Sequence, residues 1–186
     1  RADGGRPARA GRVNEPQLVA ALRSAGCVFA EDEARLLLAE ASSPAEVMAW
    51  AARRMAGEPL EQIVGWAAFA GLRVAVDPGV FVPRHRSELV VTVAAREPAD
   101  VVVDLCCGSG ALGAALAARW PRAEVHAADS DPAAVACARR NLPPDRVHQG
   151  DLYAALPDEL RGRVDLLLVN APYVPTEAIA TMPREA

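Results

Sequence analysis

The chain has 186 residues, of which 52% are hydrophobic and 24% charged, and its formal net charge is -4 at pH 7. This length is enough for one domain with a buried core and a smaller appendage. The negative charge argues against a nucleic-acid partner, and no apolar run approaches the roughly 20 residues that span a bilayer. The arginine-rich residues 1–13 are predicted to be a disordered arm or a cloning remnant.

The four cysteines do not suggest a disulfide framework. Cys106 and Cys107 are adjacent, whereas Cys27 and Cys137 stand alone. No cysteine or histidine cluster has the spacing of metal ligands, and no apolar region typical of a signal peptide follows the first arginines. The sequence therefore predicts a reduced, cytoplasmic protein without a metal.

Residues 14–57 are predicted to form a small helical domain, because apolar residues recur there at helical spacing. A helix start is marked by the run from Ser43 to Glu46, in which Ser43 can cap, Pro44 suits the first position and Glu46 can close a capping box. We therefore expect about three short helices.

Residues 58–97 are predicted to form a β-hairpin linker followed by a helix. Gln62–Gly65 and Leu72–Val76 are short β-like runs with glycine between them. A turn at residues 77–79 and a helical stretch over Ser87–Arg96 follow.

Residues 98–186 alternate between strand-like and helix-like segments. Such alternation predicts right-handed crossovers and a parallel, doubly wound sheet, which binds ligands beyond the carboxyl ends of its strands. The predicted strands are Val101–Leu105, Glu124–Ala128, Val147–Gln149 and Val164–Val169, and the predicted helices are Ala111–Arg119 and Pro132–Asn141.

A glycine-rich segment, Gly108 to Gly113, lies directly between the first of these strands and a helix. Glycines at this place let the backbone approach a ligand, and the helix offers unpaired N–H groups. Asp129 ends the next strand about 20 residues further on, where a carboxylate can accept both hydroxyls of a ribose. The alternative is a glycine turn with a solvent-facing helix cap.

Two further aspartates follow or end strands of this sheet. Asp104 can face a ligand ammonium group or hold the glycine loop. Asp151 can meet the exocyclic amine of adenine, or it can act as a helix N-cap. These features fit a nicotinamide cofactor and S-adenosylmethionine alike, since both contain adenosine.

The fourth strand runs directly into Asn170-Ala171-Pro172-Tyr173. A primary amide has two N–H donors, and the Asn170 side-chain oxygen and a neighbouring backbone carbonyl can accept them. Tyr173 offers a flat face against a planar amide or a base. This segment therefore predicts an amide cradle for methyl transfer to nitrogen, with an ordinary strand-ending turn as the alternative.

These motifs together resemble the release factor glutamine methyltransferase family, from about residue 15 to the end of the chain. The resemblance implies a class I S-adenosylmethionine-dependent methyltransferase domain, with a Rossmann-like, doubly wound α/β sheet, preceded by a small helical domain and a β-hairpin linker. It also implies N5-methylation of the glutamine of a Gly-Gly-Gln motif in peptide chain release factors, with S-adenosyl-L-homocysteine as the product. Four stretches carry it: residues 57–65, 81–88, 104–110 and 170–173.

The resemblance assigns residues to three parts of the site. The catalytic segment is Asn170, Ala171, Pro172 and Tyr173. The cofactor-binding residues are Asp104, Cys106, Gly108, Gly110, Asp129, Ser130, Asp151, Leu152 and Asn170. The substrate-side residues are Pro83, Arg84 and Glu88, for which an ordinary surface ion pair between Arg84 and Glu88 is the alternative.

The sequence departs from the family pattern at four positions. Cys106 and Cys107 stand where the glycine loop of the family reads Gly-Thr, Ala171 replaces the first proline of Asn-Pro-Pro-Tyr, and Ser87 replaces threonine. These changes suggest a divergent paralogue. Four predicted strands against the seven of the class also suggest that the sequence is incomplete at its C-terminal side.

Two other functions fit the same residues. An N6-adenine or other amino-group methyltransferase, acting on nucleic acid or a small molecule, could use the same cradle, but the net charge of -4 disfavours nucleic acid. A truncated, non-catalytic binding module is the alternative from a different class.

Overall fold

The computed structural model describes residues 13–171, and these divide into two compact units between Val64 and Gly65. The division predicted from the sequence, into an arm (1–13), a helical domain (14–57), a hairpin linker with a helix (58–97) and a sheet domain (98–186), stays a prediction. Within the described residues, no helix is both long and apolar enough to cross a bilayer.

The first unit is helical. It contains α1 (Glu15–Ser24), α2 (Ala30–Glu40), α3 (Pro44–Met55) and α4 (Leu60–Val64). The predicted helices over residues 14–57 are thereby confirmed, and their apolar faces meet in one core. Its buried side chains include Leu18, Leu22, Leu37, Val47 and Ile63.

Polar contacts fix the ends and the pairing of these helices. The Ser43 hydroxyl accepts the Glu46 N–H at 3.2 Å, as predicted for the start of α3. The Glu46 carboxylate reaches back to the N–H and hydroxyl of Ser42, both at 2.6 Å, one residue earlier than a standard capping box. Arg54 donates to both oxygens of the largely buried Glu33 carboxylate, which joins α3 to α2.

The predicted strand at Gln62–Gly65 is wrong, because its first three residues lie in α4. The Pro59 carbonyl accepts the N–H groups of Gln62 and Ile63, and Ile63 is buried in the helical core. Gly65, with φ at 82°, follows the helix in a conformation that favours glycine. A short apolar run does not by itself distinguish the helical period from the strand period.

The second unit begins with the hairpin, formed by β1 (Trp66–Phe69) and β2 (Leu72–Ala75). The two strands are antiparallel, and Trp66 stands opposite Ala75. The turn residues Ala70 and Gly71 have φ values of 49° and 79°, the positive pair of a tight hairpin turn. The second predicted strand is confirmed to within one residue. A short 3-10 helix at His85–Ser87 follows, and then α5 (Glu88–Ala94), which lies within the predicted Ser87–Arg96 stretch.

The parallel sheet confirms the predicted alternation. Its strands are β3 (Val101–Leu105), β4 (Glu124–Asp129), β5 (Val147–Gln149) and β6 (Leu166–Val169), in the spatial order β5-β4-β3-β6. Helices α6 (Ala111–Arg119) and α7 (Pro132–Ala138) connect β3 to β4 and β4 to β5. The chain leaves β3 towards β4 and returns to its other side at β6, so the sheet has a switch point beside β3.

Alternate residues of β3 face two different clusters. Val102 packs with residues of α5, α6 and α7, whereas Val101, Val103 and Leu105 pack with Leu160 on the other face. All five residues of β3 are buried. The strand that carries the glycine loop is therefore the rigid centre of the sheet.

Candidate functional site

The carboxyl ends of the four parallel strands lie at one edge of the sheet. Leu105 pairs with Ala128 on one side and with Val169 on the other, so the residue after Leu105 lies between the ends of β4 and β6. Asp129 in turn pairs with Gln149 of β5. The sequence-predicted residues at or next to these strand ends are Asp104, Cys106, Gly108, Asp129, Ser130, Asp151 and Asn170.

The loop between β3 and α6, residues 106–110, is the glycine loop of this site. Its three residues with positive φ are Cys106 at 53°, Gly108 at 54° and Gly110 at 74°. The N–H of Cys107 donates to the Ala128 carbonyl at 3.1 Å, and the N–H of Gly110 donates to the Cys107 carbonyl at 2.8 Å. Neighbouring backbone therefore holds the loop, although Cys106 adopts a conformation that costs an L-residue about 1 kcal/mol.

Two glycines of this loop are needed for different reasons. A Cβ at Gly110 would come within 3.2 Å of the side chains of Ala138 and Leu142, so the end of α7 packs directly on the loop. A Cβ at Gly108 would meet nothing within 4 Å. The space beside Gly108 allows a ligand to approach the backbone.

Asp129 anchors the loop from the end of β4. One carboxylate oxygen accepts the Gly108 N–H at 2.9 Å, and the other accepts the Asp131 N–H at 3.0 Å. A carboxylate has about four acceptor positions, so two stay available for the hydroxyls of a ribose. Ribose binding by Asp129 stays a prediction, and the loop-holding role is an addition to it.

Asp104 is 1% exposed and lies beneath the loop. Its Oδ2 accepts the N–H of Gly113 in α6 at 2.9 Å. Its Oδ1 is the one buried side-chain polar atom of residues 13–171 that has no hydrogen-bond partner. Burial raises the pKa of Asp104 to about 7, the nearby charge of Asp129 adds to this rise, and the Gly113 hydrogen bond opposes it. A cationic donor such as an ammonium group would satisfy this carboxylate.

Cys106 lies among three carboxylates. Partial burial raises the pKa of its thiol, and the charges of Asp129, Asp104 and Asp151 raise it further. Burial similarly raises the pKa of the adjacent Cys107 thiol. Both thiols are therefore protonated at neutral pH, and the loop lies in a negative field that favours a cationic ligand.

The segment after β5 presents Asp151 and Leu152 on the surface. Asp151 occupies the N-cap position of a 3-10 helix at Leu152–Ala155, but its side chain makes no capping hydrogen bond. The N-cap alternative is therefore not seen. Leu152 has a φ of 44° and is 46% exposed, and Ser130, which follows β4, is also exposed.

The predicted amide cradle is only partly within the described residues. Asn170 and Ala171 follow β6 directly, and both are exposed. Pro172 and Tyr173 lie outside the described residues. The structure thus brings Asn170 and Ala171 to the same strand-end edge as the glycine loop.

Pro83 and Arg84 lie between the hairpin and α5, Glu88 is the first residue of α5, and the three residues are half-buried. The alternative, an ion pair between Arg84 and Glu88, is not formed, and Glu88 makes other contacts instead. Its Oε1 accepts the Ala70 N–H at 3.1 Å and lies 3.0 Å from His85 Nδ1. The Ala70 N–H first, and His85 second, hold the pKa of Glu88 below its usual range. Glu88 therefore fixes the hairpin turn against the start of α5.

Asn141 is a polar residue that the sequence analysis missed. It follows α7, and its side-chain amide binds the backbone of both β2 and the glycine loop. Its partners are 66 and 32 residues away in the chain. A local pattern holds no signal for contacts of this separation.

A cluster of polar residues on β4 and β5 was also missed. His126 Nδ1 is 3.0 Å from His148 Nε2, and His126 Nε2 is 2.9 Å from the Glu124 carboxylate, which also binds Arg163 at 2.7 Å. The two rings stack with their centroids 5.3 Å apart. Across residues 13–171, no three histidine, cysteine or acidic side chains are grouped so that they could hold a metal ion.

Comparisons with known proteins agree with this geometry. Residues 71–183 match the family described as methyltransferase small domain. A release factor glutamine methyltransferase from Streptomyces coelicolor is 48% identical over 132 residues, which cover 67% of this chain and 47% of the relative. One from Bifidobacterium longum is 32% identical over 203 residues, which cover 88% of this chain and 69% of the relative.

A relative with a different acceptor in its name also matches. The 4-amino-L-phenylalanine/4-methylamino-L-phenylalanine methyltransferase of Streptomyces pristinaespiralis is 42% identical over 134 residues, which cover 66% of this chain and 46% of the relative.

The chain spans about half the length of several of these curated relatives. Its parallel sheet, its glycine loop after the central strand and the family match confirm the predicted class I methyltransferase fold. The chain belongs to the release factor glutamine methyltransferase family, within the wider family of methyltransferase small domains.

Proposed function

We propose that this protein is an S-adenosylmethionine-dependent methyltransferase that modifies N5 of a glutamine side chain in another protein. The proposed acceptor is a peptide chain release factor, as in the names of its relatives from Streptomyces coelicolor and Bifidobacterium longum. The cofactor assignment depends mainly on one observation, the group of carboxylates around the glycine loop.

The charges around the loop distinguish between two adenosine-containing cofactors. Asp129, Asp104 and Asp151 all act on the thiol of Cys106. Because burial raises the pKa of Asp104 to about 7, the negative charge around the loop at neutral pH comes mainly from Asp129 and Asp151 and only in part from Asp104. The pyrophosphate of a nicotinamide dinucleotide would be repelled by this field, since like charges raise each other's free energy. S-adenosylmethionine carries a sulfonium and an ammonium group, and both are favoured there.

Each part of the cofactor has a partner among the described residues. Asp129 is suited to the ribose hydroxyls, and the backbone at Gly108 can be approached closely. Asp104 Oδ1 lacks a donor that an ammonium group would supply. Asp151 and Leu152, which are exposed after β5, are suited to the adenine, with Ser130 beside the ribose.

Positioning of the acceptor amide is the main task of the protein's own residues. When bound, S-adenosylmethionine supplies an activated methyl group on a positively charged sulfur. The Asn170 side-chain oxygen accepts one N–H of the glutamine amide, and the backbone carbonyl of Ala171 accepts the other. Held in this way, the amide nitrogen would face the methyl group of the bound cofactor. The N–C bond would form as the S–C bond breaks, S-adenosyl-L-homocysteine would be the leaving group, and one N–H proton would pass to water. Such orientation can replace a strong general base.

The segment that contains Pro83, Arg84 and Glu88 is also proposed to contact the acceptor. Pro83 and Arg84 precede the 3-10 helix that leads into α5, and Glu88 fixes this helix to the hairpin turn. We assign Pro83, Arg84 and Glu88 to the wall that meets the acceptor protein.

A second acceptor is supported by one observation. The relative from Streptomyces pristinaespiralis, 42% identical, is named for an amino-substituted phenylalanine. An aryl amine presents two N–H donors, as a primary amide does, so the same pair of acceptors could hold it. We therefore keep methylation of a small-molecule amine as the second candidate.

Methyl transfer from labelled S-adenosylmethionine separates these proposals. The protein is incubated with a release factor, with the same factor after alanine replaces the glutamine of its Gly-Gly-Gln motif, and with 4-amino-L-phenylalanine. We expect label in the intact factor and none in the altered factor. Label in 4-amino-L-phenylalanine alone would establish the second candidate, and label in no acceptor by a protein that binds the cofactor would contradict both.

We also propose that the protein acts in the cytoplasm. The four cysteines of this sequence are all free in the structure, which suits a reducing compartment. A release factor as acceptor would be found in the same compartment.

A further inference from the structure

We propose that Asn141 is a positioning residue that joins the glycine loop to the β-hairpin. Through this amide, the loop that meets the cofactor and the strand that leads to the substrate-side segment keep a fixed relation. The inference rests on the proposed function, because it assigns the coupled elements to cofactor and acceptor.

Both N–H donors and the oxygen of the Asn141 side chain make hydrogen bonds. Its Oδ1 accepts the Ala75 N–H at 2.8 Å. Its Nδ2 donates to the Ala75 carbonyl at 2.9 Å and to the Ser109 carbonyl at 2.8 Å. One half-buried amide thus binds two separate backbone segments, and only an amide supplies one acceptor and two donors in this arrangement.

The register of the hairpin explains why Ala75 needs this partner. The N–H of Val76 donates to the Gly65 carbonyl at 3.0 Å, so the adjacent Trp66–Ala75 pair is a non-hydrogen-bonded pair. Both backbone groups of Ala75 therefore point away from β1. Asn141 binds them as a neighbouring strand would, and this satisfies the edge of β2 at Ala75.

Other contacts also hold the hairpin, one at its turn and two at the exit of β2. Glu88 accepts the N–H of Ala70 in the turn. At the exit of β2, the Cys137 thiol lies 3.3 Å from the Ala75 carbonyl, and Arg140 pairs with Asp77. The contact with the glycine loop, however, is made by Asn141.

Ser109 lies between Gly108 and Gly110, the two loop glycines with positive φ. A shift of the Ser109 carbonyl must therefore change the loop on both sides of it. We infer that loss of the Asn141 amide weakens cofactor binding without removing any group that touches the cofactor.

Two variants of Asn141 and one control test this inference by calorimetric titration with S-adenosylmethionine. Asn141→Asp fills the same space but turns a second oxygen towards the carbonyls of Ala75 and Ser109, and Asn141→Ala removes the amide. We expect about tenfold weaker binding, or more, in both variants. The control is Val135→Ala, which leaves a cavity beneath α7 and destabilises the protein while the Asn141 contacts stay in place. We expect this control to bind as the wild type does, and equal losses of affinity in all three variants would overturn the inference.

Hydrogen exchange of the unliganded 186-residue chain provides a readout that needs no cofactor. We expect the amides of Ala75 and Gly110 to exchange faster in Asn141→Ala than in Val135→Ala, relative to wild type. Equal exchange at these amides in the two variants would overturn the inference whatever the titrations give. Failure of the wild-type chain to bind S-adenosylmethionine would instead count against the proposed cofactor and leave the exchange result to decide the role of Asn141.

Discussion

The glycine-loop side and the β6 side of the strand-end site differ in how far the described residues enclose them. On the loop side, Asp104 is 1% exposed and the whole of β3 is buried. On the other side, Leu167 and Val169 of β6 are 40% and 48% exposed, and Asn170 is exposed as well. The site therefore has one side that is fixed within residues 13–171 and one side that is open there.

This difference has a functional consequence. On the cofactor side, Asp129 accepts the Gly108 N–H of the glycine loop and Asp104 accepts the Gly113 N–H of α6, so both carboxylates are held in place. The groups assigned to the acceptor extend to Pro172 and Tyr173, outside the described residues. We therefore expect changes on the loop side to alter stability and cofactor affinity, and changes on the β6 side to alter methyl transfer.

The largest effect should come from Asp104. Burial raises the pKa of its carboxyl to about 7 from the ordinary 3.8, so between pH 4 and pH 7 the folded protein keeps a proton that the unfolded chain releases. The stability associated with this carboxyl therefore falls as the pH rises through that window, by about 4 kcal/mol. Asp104→Asn, which cannot ionise, should lack this part of the pH dependence, as measured by urea unfolding from pH 4 to pH 8.

The free energy of unfolding of Asp104→Asn is compared with that of the wild type at each pH. This is necessary because other carboxylates make the protein less stable as the pH falls, which is opposite to the effect of Asp104. The pKa of Glu124, for example, is lowered by His126 and Arg163, so its contribution is lost as the pH falls. Asp158→Asn, in an exposed pair with Arg161, is the matched control and should follow the wild type. The same pH dependence in wild type and Asp104→Asn would show that the buried carboxyl is not the cause.

A smaller loss of stability is expected for Gly110→Ala. The substitution places a Cβ at a φ of 74° and within 3.2 Å of Ala138 and Leu142. Backbone strain and overpacking together should lower the free energy of unfolding by about 3 kcal/mol. Gly162→Ala is the control, since Gly162 has a φ of 72° but open space around it, and strain alone should cost about 1 kcal/mol. Equal losses in urea unfolding would mean that α7 does not constrain the loop.

Asp129→Ala should act mainly on the cofactor. The change leaves the Gly108 N–H without its acceptor and removes the proposed ribose contact. We expect the affinity for S-adenosylmethionine to fall by about 2 kcal/mol, or roughly thirtyfold, in calorimetric titration. Asp158→Ala removes an exposed carboxylate that pairs with Arg161, and it should leave the affinity unchanged. An unaltered dissociation constant in Asp129→Ala would refute the ribose assignment.

The smallest effect on binding is expected for Asn170→Ala on the β6 side. Because Asn170 is exposed and binds the acceptor in our proposal, its loss should change cofactor affinity by less than about 0.5 kcal/mol. Methyl transfer to the acceptor should nevertheless be abolished. Turnover that survives this substitution would count heavily against the amide cradle.

Elements with clear local signals were predicted from the sequence, whereas an element decided by tertiary packing was not. The helix Ala111–Arg119 was predicted with both of its ends, since a buried strand before it and glycines at its start are local signals. The strand Val101–Leu105 was likewise confirmed. Gln62–Gly65 was predicted wrongly because a run of four residues is too short to reveal its period, and burial of Ile63 in the helical core decided the outcome.

The site was predictable where its residues follow strands directly. The ends of β3, β4, β5 and β6 meet at one edge by the rules of parallel sheets, which brings Asp129 and Asn170 to the same place. Asn141 was not predictable, because its role depends on Ala75 and Ser109, which only the folded chain brings near. The loop-holding bond of Asp129 and the cluster around His126 depend on tertiary contacts in the same way.

We propose that the loop side of this chain binds S-adenosylmethionine. Calorimetric titration of the 186-residue chain with S-adenosylmethionine, and with NAD as the reference, tests it most directly. We predict saturable binding of S-adenosylmethionine with no measurable binding of NAD. A folded sample that binds neither compound, or binds NAD equally well, would contradict the account.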